Sequence, residues 1–207
     1  MKNTQKHFSM LRSFSPADFF TLANAASGTV AILMAVKFAS GGDVSLIWAA
    51  LALLPVSLAC DFLDGYVARK TNLSSPLGAD LDSLADVLSF GVAPAVLGYV
   101  LGLSGGWDAV ILVYFVSCGV ARLARYNVTA EDLSDDSGKV AYYEGTPIPT
   151  SVLIPAVLAV FLALGRVGND IPLGDVEFLG WTLHPFTLTY FISGTAMISA
   201  TLKIPKL

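Results

Sequence analysis

Long apolar segments alternate with short polar ones along the whole chain. About twenty apolar residues are needed to cross a bilayer as a helix, so this pattern predicts about six transmembrane helices. Their approximate limits are 18–38, 44–69, 77–103, 109–126, 149–164 and 185–202. Ser15 and Pro16 are typical of a helix start, and Asp18 would fall in the first turn. We therefore expect an all-α integral membrane protein.

Composition supports this class. Hydrophobic residues make up 55% of the 207 residues and charged residues only 14%, whereas a soluble domain carries about a quarter charged residues. The net charge of −4 comes largely from connecting segments, and no basic patch points to nucleic acid as a partner. Cys60 and Cys118 lie in apolar segments, which is typical of buried thiols and predicts no disulfide framework. With no repeat or composition boundary, we expect a single membrane domain over residues 1–207.

Residues 1–16 form a juxtamembrane segment in this scheme. They contain basic residues and scattered apolar ones, but no continuous apolar core like that of a cleavable signal. The segment is either a short amphipathic helix on the membrane, with Lys6 and Arg12 toward the headgroups, or a frayed terminus.

The distribution of Lys and Arg predicts the orientation. With six helices and the amino terminus inside, the cytoplasmic side holds ten of these residues and the other side two, Lys37 and Arg166. The ten are Lys2, Lys6, Arg12, Arg69, Lys70, Arg122, Arg125, Lys139, Lys203 and Lys206. The positive-inside rule therefore predicts that both termini and the aspartates at 61–86 face the cytoplasm, and we expect the protein in the inner cell membrane.

Aspartates interrupt the second and third helices near their cytoplasmic ends. Asp61 and Asp64 are three residues apart, and Asp82 and Asp86 are four apart, so each pair shares a helix face. Two antiparallel helices joined by a short turn can direct these carboxylates into one cavity. Carboxylates crowded there must hold either protons or cations. Oxygen ligands without His favour Mg²⁺ or Mn²⁺ over zinc.

Other interpretations of these aspartates stay open at this point. They could be charges at loop ends, solvated at the membrane surface, or the ion site of a cation or proton transporter. The faces that carry them also carry Gly65, Ala68 and Gly78, to which a transporter assigns no task beyond helix packing. Asp80 lies about 200° around the helix from Asp82 and is expected on a solvated face.

The spacing of the motif identifies a family. Eight residues fit the pattern DxxDGxxARx(7,8)GxxxDxxxD: Asp61, Asp64, Gly65, Ala68, Arg69, Gly78, Asp82 and Asp86. The chain therefore resembles the CDP-alcohol phosphatidyltransferases. The resemblance implies transfer of a phosphatidyl group from CDP-diacylglycerol or CDP-archaeol to an alcohol, with release of CMP. It also implies that the four aspartates bind two Mg²⁺ or Mn²⁺ ions, and that Asp86 acts as a metal ligand or as the general base.

The same resemblance implies a nucleotide site. Asp64, Gly65, Ala68 and Gly78 would let cytidine and phosphate approach closely, and Arg69 would pair with a phosphate. Thr21 and Asn24 on the first helix would border the nucleotide. From spacing alone, Thr21, Asn24 and Gly28 fit either ligand contact or the packing of membrane helices.

A second cluster of candidate residues flanks the inner ends of the fourth and fifth helices. Arg122 and Arg125 share a face and are either snorkelling anchors to lipid phosphate or ligands for a substrate carboxylate or phosphate. Gly145 and the prolines after it suit a rigid turn. The candidates for acceptor binding are Arg122, Arg125, Asn127, Glu144, Gly145, Thr146 and Pro147.

Several segments are similar to the phosphatidylserine synthase branch of the family. They are RLARYN at 122–127, GTPIP at 145–149, LDSLADVLSFGVAPA at 81–95 and the ending TLKIPKL. This similarity implies L-serine as the acceptor and a homodimer among membrane lipids. Thr146 and Thr150 replace residues more usual in that turn, so inositol phosphate and glycerol phosphate stay open as acceptors.

Overall fold

The computed structural model describes residues 15–71, 76–129 and 142–205. The prediction for the amino-terminal segment falls almost wholly outside these residues. Within them the helices are α1 (Pro16–Ala39), α2 (Val44–Thr71), α3 (Pro76–Asp86), α4 (Ala93–Val100), α5 (Gly106–Thr129), α6 (Leu153–Ala163) and α7 (Leu188–Ile198). A π-helical segment, Val87–Val92, joins α3 to α4. Short 3₁₀ turns occupy Ile148–Val152, Gly168–Asp170 and Pro185–Thr187.

Four helices in the described part of the chain are long and apolar enough to cross a membrane. They are Pro16–Ala39, Val44–Thr71, Leu77–Val100 and Gly106–Val128, and a shorter apolar helix covers Ile148–Ala163. The predicted class, an all-α membrane protein, is confirmed. Six crossings and two cytoplasmic termini stay predictions, because α6 and α7 are shorter than a full crossing requires.

Two small two-stranded sheets lie where the sequence predicted only loops or a terminal tail. Strand β1 (Tyr142–Glu144) pairs antiparallel with β4 (Lys203–Pro205). Strand β2 (Val176–Phe178) pairs antiparallel with β3 (Trp181–Leu183). The first sheet ties the connection after α5 to the end of the chain, and the second projects from the connection between α6 and α7.

Helix α1 begins as predicted. Ser15 caps the helix, with the Asp18 amide donating to Ser15 Oγ at 3.3 Å and the Ser15 amide donating to Asp18 Oδ2 at 2.6 Å. This reciprocal capping satisfies amides that the first turn would otherwise leave free.

The buried face of α1 consists of small or short polar residues. They are Ala17, Asp18, Thr21, Asn24, Gly28, Ala31 and Ala35. Such residues let helix backbones approach closely, and α1 packs along α2 and also contacts α3, α4 and the π-helical segment. A Cβ on Gly28 would lie 2.8 Å from the Ser89 Cα. Gly28 is therefore a packing residue, which resolves one of the two readings that spacing left open.

The π-helical segment directly follows Asp86. Pro94 has no amide hydrogen to donate, and the Phe90 carbonyl accepts a hydrogen bond from Ser151 Oγ at 2.6 Å. Ser151 lies in the 3₁₀ turn before α6. Its side chain thus satisfies a carbonyl in an irregular stretch of helix. Single turns of π-helix often occur at functional sites.

We predict that Gly145→Ala destabilises the protein more than Gly165→Ala. Both glycines have a left-handed backbone, with φ of +74° and +68°. A Cβ on Gly145 would lie 2.2 Å from the Met197 carbonyl oxygen, whereas a Cβ on Gly165 has nothing within 4 Å. Gly165→Ala should cost about 1 kcal/mol from backbone strain, and Gly145→Ala about 1–3 kcal/mol more from overpacking. Thermal unfolding in detergent measures the difference, and equal shifts would contradict it.

Candidate active site

Carboxylates from α2 and α3 converge at one end of the bundle. Asp61, Asp64 and Asp82 each offer an oxygen, and these oxygens lie within 4.8 Å of one another. The carboxyl group of Asp86 lies near those of Asp61 and Asp82. Asp64 and Asp86 are each only 6% exposed, and Asp61 and Asp82 are half-buried. The four residues of the predicted metal site are thus brought together.

Helix α1 positions one carboxylate on each of the other two helices. Thr21 Oγ1 donates to Asp64 Oδ2 at 2.9 Å, and Asn24 Nδ2 donates to Asp86 Oδ1 at 3.2 Å. The backbone carbonyl of Asn24 accepts from Ser89 Oγ at 2.9 Å. Thr21 and Asn24 are therefore tied to the acidic cluster itself. Their contact with a nucleotide stays a prediction.

The cluster has the chemistry of a cation site. Two unit charges 4 Å apart repel by about 4 kcal/mol at an effective dielectric constant of 20. One oxygen of Asp82, Oδ1, is buried and has no hydrogen-bond partner among the described residues. A set of several carboxylate oxygens suits a hard divalent ion such as Mg²⁺ or Mn²⁺. The residues present therefore fit a divalent cation.

A cavity of about 210 Å³ adjoins the cluster. Its lining is Ser15, Ala17, Asp18, Thr21, Asp64, Gly65, Ala68, Gly78, Ala79 and Asp82. Five of the residues assigned to the nucleotide thus line one space. Ligand pockets are usually about 300–1,000 Å³, so this cavity suits a part of a nucleotide rather than the whole.

Arg69 lies at the edge of this space. Its side chain is exposed, and its Nη1 is 3.3 Å from the position that a Cβ on Gly65 would take. Gly65 therefore leaves room for the Arg69 guanidinium to fold back along α2. This placement keeps a positive charge beside Gly65, which lines the cavity, and the pairing of Arg69 with a phosphate stays a prediction.

Sequence reasoning missed the contribution of the α1 start to the cavity. Ser15, Ala17 and Asp18 belong to its lining, although only a helix start was predicted there. The capping signal identified where α1 begins. It held no information about which helices would surround that beginning.

The acceptor candidates fall into two places. On α5, Arg122 is half-buried and Arg125 exposed. Asn127 accepts from Ser83 Oγ at 3.2 Å and donates to Asp80 Oδ1 at 3.4 Å. The end of α5 thus lies beside α3, on the exposed side where Asp80 was predicted.

The other candidates lie against the end of α7. The Gly145 amide donates to the Leu202 carbonyl at 2.8 Å, and the Thr146 amide donates to the Ala196 carbonyl at 3.2 Å. Thr146 Oγ1 is buried without a hydrogen-bond partner in the described part of the chain. Pro147 follows in the turn, and Glu144 belongs to β1. A role for any of these residues in acceptor binding stays a prediction.

Fold and site together define a helical membrane protein with a carboxylate cluster beside a cavity lined by small residues. The family model described as CDP-alcohol phosphatidyltransferase matches residues 14–193, and the chain belongs to this family. The predicted family is therefore confirmed. Membership argues against the transporter interpretation of the aspartates.

Named relatives lie in the same branch of the family. The chain is 42% identical to the CDP-diacylglycerol–serine O-phosphatidyltransferase of Saccharomyces cerevisiae, over 98% of this chain and 74% of that protein. It is 30% identical to the protein of the same name from Methanocaldococcus jannaschii, over 96% of this chain and 89% of the relative. It is also 36% identical to an archaetidylserine synthase of Methanothermobacter thermautotrophicus, over 66% of this chain and 54% of that protein. Of this last relative, the chain therefore spans only about half the length.

We predict that Asp82→Asn abolishes most of the stabilisation by divalent ions. A ligand at one hundred times its dissociation constant stabilises a folded protein by about 2.7 kcal/mol, and Asp82 supplies an oxygen to the cluster. Unfolding temperatures in detergent over a series of Mn²⁺ concentrations measure this. In a chelator, the variant should be at least as stable as the wild type, because one repelling charge is gone.

Asp80→Asn is the matched control for this prediction. It removes the same charge two residues away, on the exposed side of α3. This variant should keep the full Mn²⁺ shift. If Mn²⁺ raises the unfolding temperature of both variants equally, or does not raise that of the wild type, the assignment of the cation site is wrong.

Proposed function

We propose that this protein transfers the phosphatidyl group of a CDP-lipid, CDP-diacylglycerol or CDP-archaeol, to the hydroxyl of L-serine and releases CMP. The observation that carries the proposal is the convergence of Asp61, Asp64 and Asp82 within 4.8 Å beside the small-residue cavity. The names of the relatives support serine as the acceptor, and they include both a diacylglycerol and an archaetidyl lipid.

The reaction requires a pyrophosphate to be held and its charge to be balanced. Bound Mg²⁺ or Mn²⁺, two ions by the family resemblance, would neutralise that charge and hold the phosphate oxygens in line. Asp61, Asp64, Asp82 and Asp86 would hold these ions. Thr21 and Asn24 would keep Asp64 and Asp86 oriented through their hydrogen bonds.

The nucleotide would enter beside the small residues. Gly65, Ala68 and Gly78 leave the cavity open between α2 and α3, so a part of the nucleotide, the cytidine or a phosphate, could lie against the backbone there. Arg69 at the edge would pair with a phosphate. The lipid tails would extend from this end of the bundle into the bilayer.

The transfer step then needs a base that removes the proton of the acceptor hydroxyl. The serine hydroxyl oxygen forms a bond to the lipid-linked phosphorus as the bond from that phosphorus to the CMP oxygen breaks, and CMP leaves with the bonding electrons. Asp86 would take the hydroxyl proton. Its burial and its hydrogen bond from Asn24 hold it in one orientation for this transfer.

The acceptor would bind beside the carboxyl-terminal end of α5 and the turn at Gly145. Arg122 and Arg125 can hold a carboxylate through paired N–H groups, and L-serine carries one. Asn127, Glu144, Gly145, Thr146 and Pro147 would complete this side. Inositol phosphate and glycerol phosphate, which these arginines could also hold, are the acceptors to test against serine.

We further propose that residues 1–207 form one domain in the inner cell membrane, that the aspartates face the cytoplasm, and that the protein is a homodimer. The excess of Lys and Arg predicted on that side supports the orientation. Serine and CMP are water-soluble and would be exchanged there, whereas the CDP-lipid stays in the bilayer. The homodimer rests on the family resemblance.

We predict serine-dependent release of CMP, and its loss in Asp86→Asn. The purified protein in detergent is given a CDP-lipid with Mg²⁺ or Mn²⁺ and, in separate reactions, serine, inositol phosphate or glycerol phosphate. Release should require serine. Removing a general base typically lowers the rate about 10²–10⁴-fold, and Asp86→Asn should fall in this range.

Asp170→Asn is the control, because Asp170 is exposed and lies in the connection between α6 and α7. It should react like the wild type. Release with a phosphorylated acceptor but not with serine would overturn the serine assignment and leave the family chemistry intact. Release in the absence of any divalent ion would overturn the metal-dependent mechanism.

We also predict that Ala68→Leu weakens use of the CDP-lipid without affecting the ion site. The larger side chain would fill space beside Asp64 and Asp82. The KM for the CDP-lipid should rise about tenfold, which corresponds to ~1.4 kcal/mol, while the Mn²⁺ stabilisation is kept. Ala59→Leu on the exposed side of α2 should leave KM unchanged. An unchanged KM in Ala68→Leu would place the nucleotide elsewhere.

A further inference from the structure

The connection between α6 and α7 carries exposed apolar side chains at two tips. Leu173 is 73% exposed and Leu179, at the turn between β2 and β3, is 78% exposed. Phe178 and Trp181, which flank the second turn, are each more than half exposed. These side chains form a group, here called the apolar tips; Trp107 of α5 contacts the two aromatic rings, while each member stays more than half exposed within the described residues.

Both leucines have a backbone conformation that leucine avoids. The φ angles are +80° at Leu173 and +51° at Leu179, and a glycine with positive φ follows each of them. An ordinary side chain is strained in the left-handed region, and the tight hairpin turn at Leu179 would favour Asn, Asp or Gly. Since neither leucine is buried, packing inside the protein does not offset this strain. The side chains therefore point to a use outside the protein.

The hairpin is two-sided. Cross-strand pairs join Val176 to Leu183 and Phe178 to Trp181, whereas Glu177 pairs with Thr182. Successive residues of a strand face opposite sides. One side is therefore apolar and aromatic, and the other is polar.

The hairpin is fixed to the first turn of α5. Trp107 Nε1 donates to the Phe178 carbonyl at 2.8 Å. The Trp181 ring is so close to Gly106 that a Cβ there would lie 2.7 Å from it. Buried Asp108 accepts from the His184 amide at 2.9 Å and from Thr187 Oγ1 at 2.7 Å. These contacts fix the height of the hairpin relative to a membrane-spanning helix.

The hairpin and the other end of α5 are about one hydrocarbon thickness apart. The opposite end of α5 lies beside α3 and the acidic cluster, through the contact of Asn127 with Ser83. About twenty residues separate Trp107 from Asn127, and at 1.5 Å per residue they cover about 30 Å, the thickness of the hydrocarbon core. Exposed Val110 and Val113 on the next turns of α5 continue the apolar surface into the bilayer.

We propose that the apolar tips insert into the lipid interface at the membrane boundary opposite the aspartates and anchor this end of the bundle. Tryptophan and phenylalanine suit the boundary between headgroups and acyl chains. The Trp107 indole N–H beside the tips already donates to the Phe178 carbonyl, so that donor is satisfied without water. Exposed Asp175 and Glu177 give this region negative charge, which favours zwitterionic lipid over anionic headgroups. The inference is independent of the proposed reaction.

Tryptophan quenching by brominated lipids tests the insertion. The chain contains three tryptophans, and Trp48→Phe leaves Trp107 and Trp181 at the hairpin. The protein is reconstituted into phosphatidylcholine vesicles brominated either near the start or near the middle of the acyl chain. Fluorescence should be quenched in both and more strongly by the shallow bromines. If fluorescence in the brominated vesicles is no lower than in unbrominated vesicles, the proposal is overturned. That result is the one expected if the tips instead bind a protein.

A double variant then isolates the tips. Leu173→Asn with Leu179→Asn places at both sites a residue that tolerates left-handed backbone, so the hairpin should stay folded. Quenching by the shallow bromines should fall by about half, since interfacial binding scales with buried apolar area. Glu177→Gln, on the polar side of the same hairpin, should leave quenching unchanged. Equal quenching in the double variant and its parent would show that the leucines do not insert, whatever its stability.

Discussion

Mutual repulsion among four carboxylates is the constraint around which this fold is built. Asp61 and Asp64 lie on one helix and Asp82 and Asp86 on the next, and folding brings them into a space largely shielded from water. Each close pair opposes folding by about 4 kcal/mol, which is comparable to the whole stability margin of many domains. A divalent ion turns this repulsion into attraction. Stability and chemistry therefore depend on the same ligand.

Helix α1 holds the clustered carboxylates in place. Its buried face lets it approach both α2 and the π-helical segment, as the close contact of Gly28 with Ser89 shows. Asn24 then joins three parts of the bundle, since its amide donates to Asp86 and its carbonyl accepts from Ser89. Thr21 links α1 to α2 through its hydrogen bond to Asp64. Because these donors come from a third helix, the carboxylates keep their orientation even though they repel.

Much of the site was predictable because the face on which a helical residue lies depends only on its spacing from its neighbours in sequence. Spacings of three and four place Asp61 with Asp64 and Asp82 with Asp86, whatever the rest of the fold does, and the apolar run at 18–38 predicted α1 to within a few residues of Pro16–Ala39. Thr21 and Gly28 show the limit of this reasoning. Contact with a ligand and close helix packing both select small or short polar residues, so only coordinates could separate the two roles.

Features that depend on distant partners could not be predicted. The π-helical segment involves Ser151 reaching the Phe90 carbonyl from sixty-one positions away. The Met197 carbonyl at the end of α7 leaves no room for a side chain at Gly145, and no spacing relates the two residues. The β2–β3 hairpin was missed because Leu179 occupies a turn position where Asn or Gly would have signalled it. The first two misses reflect contacts between segments that the sequence separates, whereas the hairpin was missed because its turn residue is atypical.

Electron paramagnetic resonance of Mn²⁺ tests the central claim most directly, because free and protein-bound Mn²⁺ give different spectra. Titration of the purified protein should show two ions bound per chain, with magnetic coupling between them, and the spectrum of the bound ions should change when a CDP-lipid is added. Binding should disappear when Asp61 and Asp82 are both replaced by Asn. A titration in which the free Mn²⁺ signal rises from the first addition, as in buffer alone, would contradict the account.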